Sequence, residues 1–305
     1  MAHIESSWTY PGNNDYRGLL KVNDLTEEAL ARHNEVVEWV NRANEVVGQP
    51  EEPVITIGQQ CDSPFECGFY PYCSRNEPKP EYPVYWLPRF PAAKIRELAE
   101  AGIDDLLDVP DDLLNDRQLR VKKHTLDNQV FFDAEAAAAD LAPYPLPALF
   151  LDFESIQFPV PIWAGTRPYQ QIPFQFSLHT VTAGGILEHA EFLDLSGGDP
   201  SAAFADELIR LCGEAPLPVF VYNAAFERSR ISELAERFPE NREALLTINA
   251  RIVDLLPIAR ERYYHPSQQG SWSIKAVLPA VVPELNYRDL DGVPAGGMAM
   301  EALLE

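Results

Sequence analysis

Asp152 and Glu154 stand two residues apart in the stretch Ala148-Leu149-Phe150-Leu151-Asp152-Phe153-Glu154-Ser155. On a β-strand that spacing sends both carboxylates to one face, with Phe153 pointing the other way. Side by side they repel each other and lose water, which favours protonation unless a cation lies between them. Binding a divalent metal through hard oxygen ligands is the chemistry such a pair offers. The plain alternative is a strand that ends in polar turn residues.

Two further acids have placements of interest. Glu227 opens an amphipathic helix after Tyr222-Asn223-Ala224-Ala225-Phe226, and it lies one turn before Ile231 in the apolar stripe Ile231, Leu234, Phe238. It therefore shares the sheet-facing side, although an acid is favoured by the helix dipole there in any case. Asp254 ends the short strand Arg251-Ile252-Val253-Asp254-Leu255. A second kind of ligand appears in Cys61, Cys67 and Cys73, set in a loop rich in Gly, Pro and aromatic residues. Such turns gather thiolates and the aromatics exclude water, so zinc or a 4Fe-4S cluster is expected in preference to incidental cysteines. Both usually take four ligands, and Cys212 sits in a helical context that makes it a core thiol.

The elements that must position the acids follow an α/β order. The apolar run into Asp152 predicts a strand covered on both faces and ending at the acid triplet. Pro173–Val181 and Ile186–Leu193 alternate as strands about a Gly184-Gly185 turn, giving a three-stranded meander. A helix over Pro200–Cys212, a strand at Val219–Tyr222 and helices after Asp254 and near Gly270–Leu278 (capped by Ser271 or Ser273) complete this part. Upstream, one helix is expected from Leu25 to Val47 with Thr26 as N-cap. Helix is also expected from Pro91 to Val121, with Gly102 as a C-cap in a helix-hairpin-helix-like pattern that serves as a packing linker. Arg117, Arg120, Lys122, Lys123 and His124 read as a solvated basic face, and the loop Phe158–Tyr169 as one wall of a cleft. Three regions result: 1–80 with the cysteine loop, a helical linker at 81–145, and an α/β domain at 146–305.

The chain has 305 residues, 46% hydrophobic and 23% charged, so a globular protein is expected. A net charge of −23 argues against broad attraction to nucleic acid or an anionic membrane, while leaving room for a local basic groove. The sequence shows neither a membrane-span-length apolar run nor a signal-peptide pattern, and the cytoplasm is the expected location.

The order acid–x–acid on a strand, two strands, helix, strand, Asn-x-x-Phe-acid at a helix start, then Val-Asp before a helix resembles the DnaQ-like (DEDD) 3′–5′ exonucleases. More narrowly, Leu151-Asp152-Phe153-Glu154, Pro168–Gln175, Tyr222–Glu227 and Gly270-Ser271-Trp272-Ser273-Ile274-Lys275 resemble the bacterial family labelled domain of unknown function 2779. The resemblance implies a ribonuclease H-like mixed sheet flanked by helices and phosphodiester hydrolysis in DNA or RNA by two Mg²⁺ or Mn²⁺ ions. Asp152, Glu154 and Glu227 would hold them, with Asp254 supporting. Glu227 stands where the wider superfamily has Asp. The final acid and its Tyr or His base are missing: Gly297–Ala302, aligned with the His-type motif, has no His and puts Ala302 where Asp belongs. A Tyr-Cys-x-x-Asp element is expected past Glu305. The cysteine stretch resembles that of the RecB-like iron–sulfur nucleases of the PD-(D/E)XK class, which implies fusion to or association with such a domain. The opposing expectation is a catalytically inactive ribonuclease H-like module that binds nucleic acid or protein.

Overall fold

The computed structural model describes residues 1–53, 61, 65–76 and 79–285, so Gly297–Ala302 lies outside the described residues. The chain divides into two compact units: Met1–Glu5 with Leu20–Glu81, and Ser6–Leu19 with the chain from Tyr82 onward.

In the first unit β1 (Ala2–Ile4) pairs antiparallel with β2 (Leu20–Val22). The helix expected from Leu25 to Val47 is two helices, α1 (Thr26–Ala31) and α2 (His33–Val47), separated at Arg32. Thr26 is the first helical residue and not the cap; Asp24 Oδ1 accepts its backbone N–H at 2.9 Å and its hydroxyl at 2.5 Å. Trp39, Val40 and Val47 are exposed on α2. The cysteine loop ends in the single turn α3 (Tyr70–Cys73).

The second unit opens its helical part with α4 (Ala92–Glu100). Gly102 adopts φ +75° there, and the N–H groups of Gly102 and Ile103 reach Ala99 O and Leu98 O at 2.9 and 2.8 Å. This closed C-terminus stops the helix. The continuous helix expected to Val121 is interrupted by two short 3₁₀ turns on either side of Pro110, which lacks a donor. Helix α5 (Asp116–Leu126) starts anew from a capping box in which Asn115 and Gln118 satisfy each other's backbone N–H. The basic cluster is not merely a solvated face. Arg117 pairs with Glu261, Arg120 donates to Glu261 O at 2.7 Å, and Lys122 donates to Val109 O and Asp111.

Next come β3 (Phe131–Phe132), α6 (Ala134–Leu141), β4 (Ala148–Ile156), β5 (Ile172–Val181) and β6 (Leu187–Leu193). They are followed by α7 (Ser201–Cys212), β7 (Val219–Val221), α8 (Ala225–Arg237), α9 (Arg242–Ala250) and β8 (Ile252–Asp254). The described part closes with α10 (Leu255–Arg262), β9 (Tyr263–Tyr264) and α11 (Ile274–Val281). A mixed α/β architecture results.

Its centre is a five-stranded sheet in the order β6-β5-β4-β7-β8. The β4–β5–β6 meander is antiparallel, whereas β7 and β8 run parallel to β4. The growth of the sheet therefore reverses at β4, which puts the C-terminal ends of β4, β7 and β8 at a topological switch point, where ligands of α/β sheets bind.

One face carries the main core. Leu149, Leu151 and Phe153 of β4 and Phe176 of β5 pack with Phe204 of α7, Ile231 of α8 and Leu245 and Ile248 of α9. Phe204 is fully buried and meets Phe153, Phe176 and Phe192 edge-on at 5.0, 5.1 and 5.7 Å between ring centroids. Cys212 is a buried thiol of this core, its pKa pushed up to about 11 by burial, with Arg251 opposing. The opposite face is covered by a smaller apolar group, Ala148, Phe220 and Val253 with Phe150 and Leu255.

The helical segment fastens to the far end of the chain. Val121 packs with Tyr264, Trp272 and Val277, and Thr125 Oγ1 meets Tyr264 OH at 2.7 Å. The tightest approach is at Gly270, φ +76°, where a Cβ would lie 1.6 Å from Trp86 O. No side chain fits there. The segment Ser6–Leu19 docks on the loop after β4, with Tyr10 and the Gly165–Thr166 stretch exchanging backbone hydrogen bonds of 2.8 and 2.9 Å. That loop borders a cleft of about 280 Å³ shared with Arg230 and Glu233 of α8. Among the described residues no helix is long and apolar enough to cross a membrane.

Candidate functional site

The strand bearing the acid pair does not end at Glu154. It continues to Ile156, because β5 still pairs with it beyond a register shift between Glu154 and Ser155. Asp152 lies opposite Ser177 and Glu154 opposite Gln175, while Phe153 faces Phe176 in the main core. Both carboxylates thus stand on the less covered face, as the alternation requires.

Glu227 enters from the first turn of α8, on the helix side that carries Ile231 and Leu234 into the core, and only 3% of it is exposed. Its Oε2 is buried without a hydrogen-bond partner. Burial pushes its pKa up to about 7, opposed by its own backbone N–H, while the charges of Asp152 and then Asp254 each add a smaller upward push. Glu227 thus feels the charge of an acid on β4 and of one on β8. Asp152 reaches solvent, yet the surrounding protein raises its pKa by desolvation, partly offset by the Phe153 N–H. Glu154 is also raised, first by burial and then by the charge of Asp152, with Lys275 at the start of α11 opposing.

Asp254 has a structural duty as well. Its Oδ1 accepts the N–H of Leu256 as the cap of α10 and that of Asn223, each at 2.9 Å. Asn223 has φ +71°, a left-handed conformation that Asn tolerates better than most residues. Asp254 thereby ties the turn after β7 to the turn after β8. In the register of the sheet it pairs with Val221. Tyr222, the next residue, has its phenol pushed up to about 12 by burial and the charge of Asp254, with Arg260 opposing.

Asp152 and Asp254 both act on the charge of Glu227, and Asp152 on that of Glu154, so the four acids share one electrostatic neighbourhood at the C-terminal ends of β4 and β8 and the start of α8. For an absent divalent cation the donor chemistry fits. All four donors are hard oxygen ligands, three have carboxyls pushed towards the protonated form, and one buried oxygen is left orphaned. They are gathered but not closed. Among the described residues no group of three or more His, Cys, Asp or Glu side chains stands close enough to hold an ion. The same holds for Cys61, Cys67 and Cys73, which are free thiols; Cys67 donates its N–H to Cys61 O at 2.8 Å, and Cys61 is buried.

Beside the acids lies a cleft of about 490 Å³ that sequence reasoning missed. Tyr222, Asn223, Leu256 and Arg260 line it from the sheet side, Trp272, Ser273 and Ile274 from the approach to α11, and Pro88, Arg89 and Arg117 from the helical segment. Its arginines come from positions 89, 117 and 260, so no local spacing could announce them. The nearest signal was the Gly270–Lys275 motif, which forms one wall.

Residues 149–273 match the family model described as Domain of unknown function (DUF2779). Neither a search of curated proteins nor one of solved structures finds a match.

Proposed function

We propose that this protein carries a metal-dependent 3′–5′ exonuclease-like domain of ribonuclease H-like fold that hydrolyses phosphodiester bonds in DNA or RNA. The observation that carries the proposal is the buried, partnerless Oε2 of Glu227, facing the charges of Asp152 and Asp254. A protein that burdens its fold with such an oxygen is using it for something. The element order supports the same reading: an acid-bearing strand, two strands, a helix, a strand, a helix with an acid in its first turn and, after the further helix α9, a strand ending in an acid before a helix. That is the order the DnaQ-like resemblance requires.

Asp152, Glu154 and Glu227 would hold Mg²⁺ or Mn²⁺, which when bound stabilises negative charge on the attacking and leaving oxygens of a phosphodiester. The chain's own residues do the rest. Asp254 fixes the two turns that carry Asn223 and Leu256, and so the entry of α8 and Glu227. Lys275 offsets part of the charge around Glu154. With its pKa near 7, Glu227 exchanges a proton in the neutral range, so deprotonation and cation binding are coupled there. The test is Mn²⁺-dependent degradation of end-labelled single strands. Asp152→Asn with Glu154→Gln should lower the rate on the order of 10³-fold, the several kcal/mol that charge stabilisation supplies. Undiminished degradation by that variant refutes the assignment.

A second reading, a module that binds without cleaving, has one observation in its favour: the carboxylates do not close into a ligand set. Calorimetry with Mn²⁺ separates the two. Binding that is lost in Glu227→Gln belongs to the first reading, and no binding to the second.

A further inference from the structure

The cleft beside the acids is a cation-lined site in a protein whose net charge is −23, so it is not a by-product of a basic surface. Neither Arg89 nor Arg260 takes part in an ion pair among the described residues. Arg117 pairs with Glu261, but its buried Nε has no partner. Between the arginines the lining mixes apolar Pro88, Leu256, Trp272 and Ile274 with polar Tyr222, Asn223 and Ser273. Guanidinium groups around such a lining suit a phosphate that carries a sugar and a base.

The position of Arg89 is built with care. Gly270 lets Trp86 O come within 1.6 Å of where a Cβ would stand, and Gln118 Nε2 holds Pro88 O at 3.0 Å. Arg89 itself has φ +51°, a left-handed conformation that strains a non-glycine residue. Strain held in place by two such contacts, at the mouth of a cleft, belongs with function. The cleft adjoins one of the acids through Asn223, which lines it and whose N–H is on Asp254.

We infer that this cleft is the phosphodiester-backbone subsite for a single nucleic-acid strand, with Arg89 and Arg260 as its anion contacts, reached from the helical segment and from α10. The inference rests on the proposed function and names the part of the chain that holds its substrate. A cleft of about 490 Å³ lies within the roughly 300–1,000 Å³ of small-ligand sites, which suits one nucleotide unit of a strand. The arginines also answer an electrostatic need, since four carboxylates beside the cleft would otherwise repel a phosphate.

The test is fluorescence anisotropy of a labelled single-stranded oligonucleotide in EDTA, so that binding is read without cleavage. Arg89→Ala with Arg260→Ala should weaken binding at least about tenfold and reduce the slope of log K against log salt by about 1.4, two contacts at roughly 0.7 each. Arg260→Lys, which keeps the charge, should retain most of the slope. Asp152→Asn with Glu154→Gln should bind at least as tightly as the wild type. Unchanged affinity and slope in the double arginine variant, or no binding by the wild type, overturns the inference. So does displacement of the oligonucleotide by an equal concentration of mononucleotide, which makes the ligand a free nucleotide. The two proposals fail separately. Arginine-dependent binding with no divalent-dependent cleavage removes the exonuclease and leaves the subsite. Asp152-dependent cleavage with arginine-independent binding does the reverse.

Discussion

Replacing Glu227 by Gln should make the metal-free protein more stable, by an amount that grows with pH. The carboxyl titrates near 7 in the folded chain and at its ordinary 4.5 when unfolded. Below 4.5 both states hold the proton and the group contributes no difference. Between 4.5 and 7 the folded chain keeps a proton that the unfolded chain has lost, so stability falls as pH rises, and above 7 the loss is complete. A gap of 2.5 between 7 and 4.5, at 1.36 kcal/mol per unit, is about 3 kcal/mol. Glutamine has the shape of the protonated acid and no charge, so it escapes this penalty. In EDTA the two proteins should melt together near pH 4.5, and the variant should melt roughly 6–12 °C higher at pH 8, taking 2–4 °C per kcal/mol for a unit of this size. Mn²⁺ added at pH 8 should raise the melting point of the wild type and have far less effect on the variant. Asp152 and Glu154 are present in both proteins, so their own raised values largely cancel in the difference. A stability difference that stays constant from pH 4.5 to 8 would refute the buried, uncompensated state of Glu227 and the cation argument built on it.

Two stability predictions concern the frame that holds the site. Gly270→Ala forces a Cβ to 1.6 Å from Trp86 O at φ +76°, so it should cost about 3 kcal/mol or more, whereas Gly185→Ala at φ +77° meets open space and should cost only about 1 kcal/mol of backbone strain; paired urea melts compare them. Phe204→Ala empties the point where Phe153, Phe176 and Phe192 converge, and should cost about 3–5 kcal/mol by the same measurement.

Much of the sheet was legible because its strands alternate. Asp152 and Glu154 share a face, the Gly184-Gly185 turn closes the second hairpin, and the position of Glu227 one turn before Ile231 does bring it to the sheet side. The end of β4 was misread because polarity was taken for termination, and only the partner strand decides where pairing stops. Helix α9 escaped notice since Leu245 and Ile248 are its only fully buried positions, too few for a periodic signal. The pair β3–β9 has two residues on each side and no pattern of its own. The break at Arg32 and the turns around Pro110 interrupt stretches whose composition favours helix throughout. The basic cluster was read as surface because charge runs usually are. That Arg117, Arg120 and Lys122 instead hold α10 and a neighbouring turn depends on contacts more than 140 residues away in the case of Arg117 and Arg120.

The crossing of Gly270 and Trp86 sets the gauge of the cleft between two parts of the chain. The acids all lie within the stretch 149–273 that matches the family, while Arg89 and Arg117 lie outside it. The two stretches meet at Gly270, where backbone presses on backbone, and through side chains of the segment such as Val121 and Arg117. Anything that shifts that crossing would move Arg89, three residues along from Trp86, relative to the Trp272 and Ser273 wall of the cleft.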